Sequence, residues 1–137
     1  MHFFFDNCIS LALARAVAEL ARAQGIEVIH LSDRFPRDTR DEDWMLALRS
    51  ERWIIISGDT RISRGRTEQA AWHESGLTAF FLADGWSSKK HWVQAAELIR
   101  WMPTVIDTAI GCRRGSGFLL PFKGREPKTI YEPKTRA

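Results

Sequence analysis

The sequence predicts an α/β fold built on a parallel sheet, and three observations carry that expectation. Apolar runs and amphipathic stretches alternate along the chain, as strands joined by helical crossovers require. The run WIIIS, residues 53–57, is apolar almost throughout, which marks a strand covered on both faces. Two such runs end in an acid: FFFDN, residues 3–7, at Asp6, and IIISGDTR, residues 54–61, at Asp59.

The elements follow in order. His2 to Phe5 is a short strand. The stretch SLALARAVAELARAQG then has helical spacing, with Ser10 to cap it, Gly25 to end it, and Arg15, Glu19 and Arg22 sharing an exposed face. IEVIHL, residues 26–31, is the second strand. SDRFPRDTRDED, with Pro36 and many charges, is a loop into a helix that starts near Asp41 and carries Trp44, Leu46, Ala47 and Leu48. After the WIIIS strand comes a helix over RTEQAAWHESG, with Thr67 as its cap and Gly76 as its stop. LTAFFLADG is a fourth strand, and SSKKHWVQAAELIRWM an amphipathic helix ended by Pro103. From Gly111 the pattern fades into glycines, prolines and basic residues. Residues 1–110 thus form the main body and 111–137 a basic C-terminal extension of the same domain, without repeats.

With 137 residues the chain is large enough for one domain with a buried core. Neither a signal peptide nor an apolar run near the ~20 residues of a spanning helix is present, so a cytoplasmic protein without a membrane partner is expected. Cys8 and Cys112 are too few for a disulfide framework and fit a reducing compartment. The net charge of +3 hides an asymmetry. Residues 111–137 hold seven Lys or Arg (113, 114, 123, 125, 128, 134 and 136) against two Glu, which leaves the remainder at −2. A basic tail of this kind is either a solvated face or the footprint of an anionic partner, nucleic acid first.

In an open parallel sheet, ligands bind beyond the carboxyl ends of the strands, where strand order reverses. If the first and third strands are neighbours, Asp6 and Asp59 meet there. Asp41, Glu42 and Asp43 crowd the start of a helix at the same end. Each acid taken singly has an ordinary structural role, as a helix cap or a turn residue. Together they make a cluster of hard oxygen donors that a cation would neutralise, and such donors suit Mg²⁺ or Mn²⁺. Ions of that kind support hydrolysis at phosphorus, so phosphodiester cleavage is the chemistry expected.

FFFDN, DEDWMLAL and WIIISGD together resemble the PIN-like domain family, whose members include the toxin ribonucleases of bacterial toxin–antitoxin modules. The resemblance spans about residues 3–83. It implies an αβα sandwich with a central parallel sheet of four or five strands, a metal-dependent ribonuclease, and single-stranded RNA as substrate. Read onto this chain, the family's acids fall at Asp6, Asp41 and Asp59, with Asp43 as a further metal ligand and Ser57 in the position whose hydroxyl steadies the last carboxylate. Asn7 is a supporting hydrogen-bond donor or a turn residue. The partners implied are RNA, a cognate antitoxin protein and a second copy of the chain. Two positions depart from the family pattern: Glu19, Asp33 and Asp38 offer no equivalent of its helix acid, and Arg61 stands where small relatives carry another carboxylate.

Arg61, Arg64 and Arg66, with Arg113, Arg114 and Lys123, are candidate contacts for RNA phosphates, or solvated charges. Trp44, Trp72, Trp92 and Trp101 fall on helical faces expected to pack inward, which leaves Trp86, in the DGWSS turn, as the candidate base-stacking residue. The histidines lack zinc spacing. Cys8 and Arg15 miss the Cys-x5-Arg spacing of a phosphatase loop by one residue. Two other functions compete: a PIN-like module that binds RNA or protein with weak or no catalysis, and a phosphotransfer enzyme using Asp6 as nucleophile, in which Cys8 would occupy the place of the expected second acid.

Overall fold

In the computed structural model, which describes residues 1–134, the run HFFF forms β1 (His2–Phe5) and lies between β2 (Glu27–His30) and β3 (Ile54–Ser57). Beyond β3 the sheet continues through β4 (Thr78–Leu82), β5 (Gly117–Leu120) and β6 (Lys128–Tyr131), in the order β2-β1-β3-β4-β5-β6. Pairing is parallel from β2 to β5, and β6 runs antiparallel to β5. Chain order reverses between β1 and β3, whose register sets Phe3 opposite Ile54 and Phe5 opposite Ile56. Arg136 of the basic tail lies outside the described residues.

The period of two along β1 explains the three layers. Phe3 and Phe5 point to one face, where they join Val17, Ile56, Phe80, Leu98, Trp101 and Val105. These come in part from α1 (Leu11–Arg22) and α5 (His91–Gly111). Phe4 points to the other face and packs with Trp44, Met45, Leu48, Ile55, Trp72 and Phe81. There α2 (Asp41–Leu48) and α4 (Arg66–Ser75) cover the sheet. Apolar character on every residue of a strand is what burial on both faces requires.

Local chemistry sets the helix ends. Ser10 caps α1 by accepting from the Leu13 N–H at 3.1 Å, and α4 ends on Gly76 in the left-handed region at φ 68°, which glycine adopts without a Cβ penalty. Thr67 is not the cap of α4. A four-residue helix, α3 (Arg61–Arg64), fills the space before it, and the cap position falls on Gly65. Pro103 does not end α5, which runs on to Gly111. The carbonyl that a proline at 103 leaves unpaired belongs to Ile99, itself solvent-exposed, so water can satisfy it, and beyond it Val105 returns to the core.

Five strands form the parallel sheet, within the four or five expected, and β6 adds an antiparallel edge. The two strands that the sequence pattern did not locate lie beyond Gly111, where a four-residue GFLL strand opening on glycine and a largely exposed KTIY edge give no clear alternation. Two tryptophans also differ from expectation. Trp86 is buried and its indole N–H donates to the Leu120 carbonyl at 2.8 Å, whereas Trp92 is 83 % exposed.

Gly117 is required by a close approach. A Cβ there would come within 2.2 Å of the Trp72 ring, which is buried and anchored by its indole hydrogen bond to the Leu77 carbonyl. Gly117→Ala is therefore expected to destabilise the fold by about 1–3 kcal/mol, the usual cost of overpacking a core. Urea denaturation measures it, with a lower midpoint and an unchanged slope as the expected result.

Candidate functional site

Asp6 follows the last residue of β1, and its N–H continues the β1–β3 ladder by donating to the Ile56 carbonyl at 3.1 Å. That bond carries the chain to the carboxyl end of the sheet before it turns, which leaves the Asp6 side chain between two strands and only 2 % exposed. The Cys8 N–H donates to its Oδ1 at 2.9 Å, and the Ser57 hydroxyl donates to its Oδ2. Ser57 closes β3, is fully buried, and also accepts the Asp59 N–H at 2.9 Å. One hydroxyl thus ties the Asp6 carboxylate to the backbone that carries Asp59. The resemblance had Ser57 steadying the Asp59 carboxylate. Its hydroxyl is instead spent on Asp6, because the β1–β3 register brings those two side chains together across the ladder.

Asp41 is the first residue of α2, with Arg40 in the cap position, and its Oδ1 accepts the Trp44 indole N–H at 3.1 Å. Trp44 is buried against Phe4, so the aromatic core under α2 fixes the orientation of this acid. Asp41 and Asp59 are close enough for each to perturb the other's ionisation, and both act on Asp6. Asp6, Asp41 and Asp59 therefore form one electrostatic unit.

Their titration follows from the surroundings. Burial pushes the Asp6 carboxyl up from its ordinary 3.8 to about 6; hydrogen bonds from Ser57 and Cys8 oppose the rise, and Asp41 and Asp59 add to it. Asp41 is raised as well, by burial first and by Asp59 second. Asp59 moves down, because Arg61 donates to it from Nε and Nη2 at 3.0 and 2.7 Å and from its backbone N–H at 2.9 Å. On acidification the first proton taken up by the Asp41–Asp59 pair therefore goes to Asp41. Next to them the Cys8 thiol is pushed up to about 12 by burial and by the three acids, which leaves it protonated at neutral pH and unsuited to nucleophilic attack.

The remaining candidates are dispersed. Asn7 donates to the Arg37 carbonyl at 2.7 Å and so fastens the charged loop after β2 to the end of β1. Asp43 is exposed and paired with Arg40 at 3.1 Å. Arg64 is 3.9 Å from Asp84, and Arg66 is exposed at the start of α4. Arg113 and Arg114 precede β5 at the amino ends of the parallel strands, the end opposite the acids, where they donate to the carbonyls of Pro133 and Arg49. Lys123 follows β5 at the same end as the acids. Among the described residues no further helix acid joins the trio: Glu19 pairs with Arg22, and Asp33 pairs with Arg15 while accepting the His30 N–H.

Residues that sequence reasoning did not place in the site are Cys8, whose backbone N–H holds Asp6, and Trp44, whose indole holds Asp41. The i, i+3 spacing of Asp41 and Trp44 on a helix was a readable signal for the second.

The carboxyl ends of β1 and β3 and the three acids there define an α/β protein with an acidic site at its topological switch point. Residues 1–84 match the family model described as PIN like domain, well over half of the chain, and the protein belongs to that family. Neither the curated proteins nor the solved structures provide a match.

Between about pH 4 and 6 the folded state retains a proton on Asp6 that the unfolded chain has released, so this group's contribution to stability falls as pH rises through that window. Asp6→Asn removes the cost of burying a charge. It is expected to raise stability near pH 7 by up to about 3 kcal/mol, with the gain vanishing below about pH 4. Urea denaturation of both proteins across that range is the measurement, and a pH-independent difference would contradict the assigned cause.

Proposed function

We propose that the protein is a metal-dependent endoribonuclease in which Asp6, Asp41 and Asp59 hold Mg²⁺ or Mn²⁺. The observation that carries the reading is the buried Asp6 carboxyl, raised to about 6 and set beside two further acids at the switch point of a parallel sheet. The donor set fits the ion in kind, being hard carboxylate oxygens without sulfur or imidazole. Among the described residues no three His, Cys, Asp or Glu side chains are arranged as they stand to hold an ion, and Asp59 is engaged by Arg61 through both oxygens. Loading the site therefore requires Arg61 to swing away, which its 77 % side-chain exposure permits. A bound ion would supply Lewis acidity and a lowered pKa for an attacking water. The chain's own residues orient the acids through Ser57, Cys8 and Trp44 and offer Arg61 and Arg64 to a phosphate.

The toxin role, with its cognate antitoxin, rests on the family resemblance alone. A small neighbouring reading frame whose product suppresses cleavage is its test. A second reading has a specific observation behind it: Arg61 already neutralises Asp59, as expected of a PIN-like module that binds RNA or protein with little catalysis. Phosphotransfer through Asp6 is the least supported, because both of its oxygens accept hydrogen bonds in a buried pocket.

Cleavage of single-stranded RNA should require Mg²⁺ or Mn²⁺ and should fall by a factor on the order of 10² or more in Asp6→Asn and Asp59→Asn; undiminished cleavage in either variant sinks the site. Arg61→Ala should bind Mn²⁺ more tightly than the parent protein by calorimetry, since it leaves Asp59 without its internal counter-charge. Weaker binding would mean that Arg61 supports the metal site and does not compete for it.

A further inference from the structure

Trp92 is out of keeping with the other tryptophans. Trp44, Trp53, Trp72, Trp86 and Trp101 are buried, while Trp92 stands 83 % exposed in the first turn of α5. Exposing so large an aromatic ring forgoes a sizeable burial energy, so it is unusual on a surface without a binding role. The surface around it is basic. Lys89 and Lys90 immediately precede the helix, whose first turn contains no acid, and Lys123 and Arg125 lie in the segment joining β5 to β6. Glu97 is paired with Arg100, and the opposing charges of these elements are Asp84, 3.9 Å from Arg64, Glu126 and, further along α5, Asp107.

The two segments are fastened together. The Gln94 amide donates to the carbonyls of Trp86 and Lys89, both at 2.9 Å; Lys89 sits over the Phe122 ring at 4.9 Å; and Arg100 donates to the Gly124 carbonyl at 2.8 Å. Both segments leave the carboxyl ends of parallel strands, β4 and β5, and so share the end of the sheet that carries Asp6 and Asp59. Strand spacing puts β5 about 10 Å from β3, which places the basic segments alongside the acids.

From this juxtaposition we infer that Trp92, with Lys89, Lys90 and Lys123, is a platform for single-stranded nucleic acid, one base stacking on the indole while the lysines hold phosphates. An accessible π-face set among cations is the combination by which proteins hold single strands irrespective of sequence. A polypeptide partner would gain from the lysines only if it were acidic, whereas every nucleotide brings both a phosphate for a lysine and a base for the indole. The inference rests on the proposed ribonuclease reading for its class of ligand, and it adds a nucleic-acid contact outside residues 1–84.

The test uses the full chain in chelator, so that binding is read without cleavage. Titration with a single-stranded oligouridylate should quench tryptophan fluorescence, and because the other five rings are buried the signal reports Trp92. Trp92→Ala should abolish the quench and weaken binding roughly tenfold, and Trp92→Phe should restore most of the affinity. Lys89→Gln with Lys90→Gln should reduce the salt slope by about 0.7 for each phosphate left without its lysine. The melting curve of Trp92→Ala should match the parent, as befits an exposed side chain. Absence of binding, binding without a fluorescence change, or equal affinity in Trp92→Ala overturns the platform. Shielding of Trp92 that depends on protein concentration alone also overturns it, in favour of a contact between copies. A separate cleavage assay with Mn²⁺ keeps the two proposals apart: cleavage without Trp92 involvement removes the platform only, and quenching without cleavage removes the nuclease only.

Discussion

The hydrogen bond between the Ser57 hydroxyl and the Asp6 carboxylate is the point on which the site depends. A carboxylate at the dry end of a parallel sheet is tolerated only when its oxygens are satisfied. Here one oxygen is met by a backbone N–H and the other by a neighbouring strand. Because the same hydroxyl receives the Asp59 N–H, the position of each acid is set by the pairing of β1 with β3. A shift of that register by one residue would turn Phe5 and Ile56 to opposite faces and part the acids at once. Core packing and site geometry are therefore the same constraint seen from two sides.

Much of this was legible from residue order. The all-apolar runs FFF and III announce strands buried on both faces, and acids following two such runs announce a shared end. DEDWMLAL shows where the helix carrying Asp41 begins. Other features could not be read because their causes are three-dimensional. Gly117 hides a strand by lacking a side chain, yet it is glycine because the Trp72 ring occupies the space its Cβ would need. Pro103 looks like a helix end until the exposure of Ile99 is known. Trp86 and Trp92 exchange the roles their local sequence implies, since a turn tryptophan finds a carbonyl acceptor on β5 and a helical one faces water.

Arg61 shows the limit of reading residue types at a site. Two residues after an acid it looks like a free cation for a phosphate, but a guanidinium's planar fork matches a carboxylate as well as it matches a phosphate. In the folded chain the nearer anion holds it. The same geometry stabilises the acidic cluster, since without that partner two further charges would oppose the buried one.

The antiparallel β6 has a consequence for the sheet as a whole. A row of parallel strands ending at β5 would leave unpaired N–H and C=O groups beside a strongly apolar GFLL, a template on which another chain could add itself. The final hairpin covers that row with four residues, KTIY, that carry a lysine and an exposed threonine and are bracketed by Pro127 and Pro133. Proline cannot donate to a ladder, so growth of the sheet past this border is blunted at both ends of the strand. The stretch in which the alternating pattern dies out thus blunts this edge of the sheet against pairing with another chain.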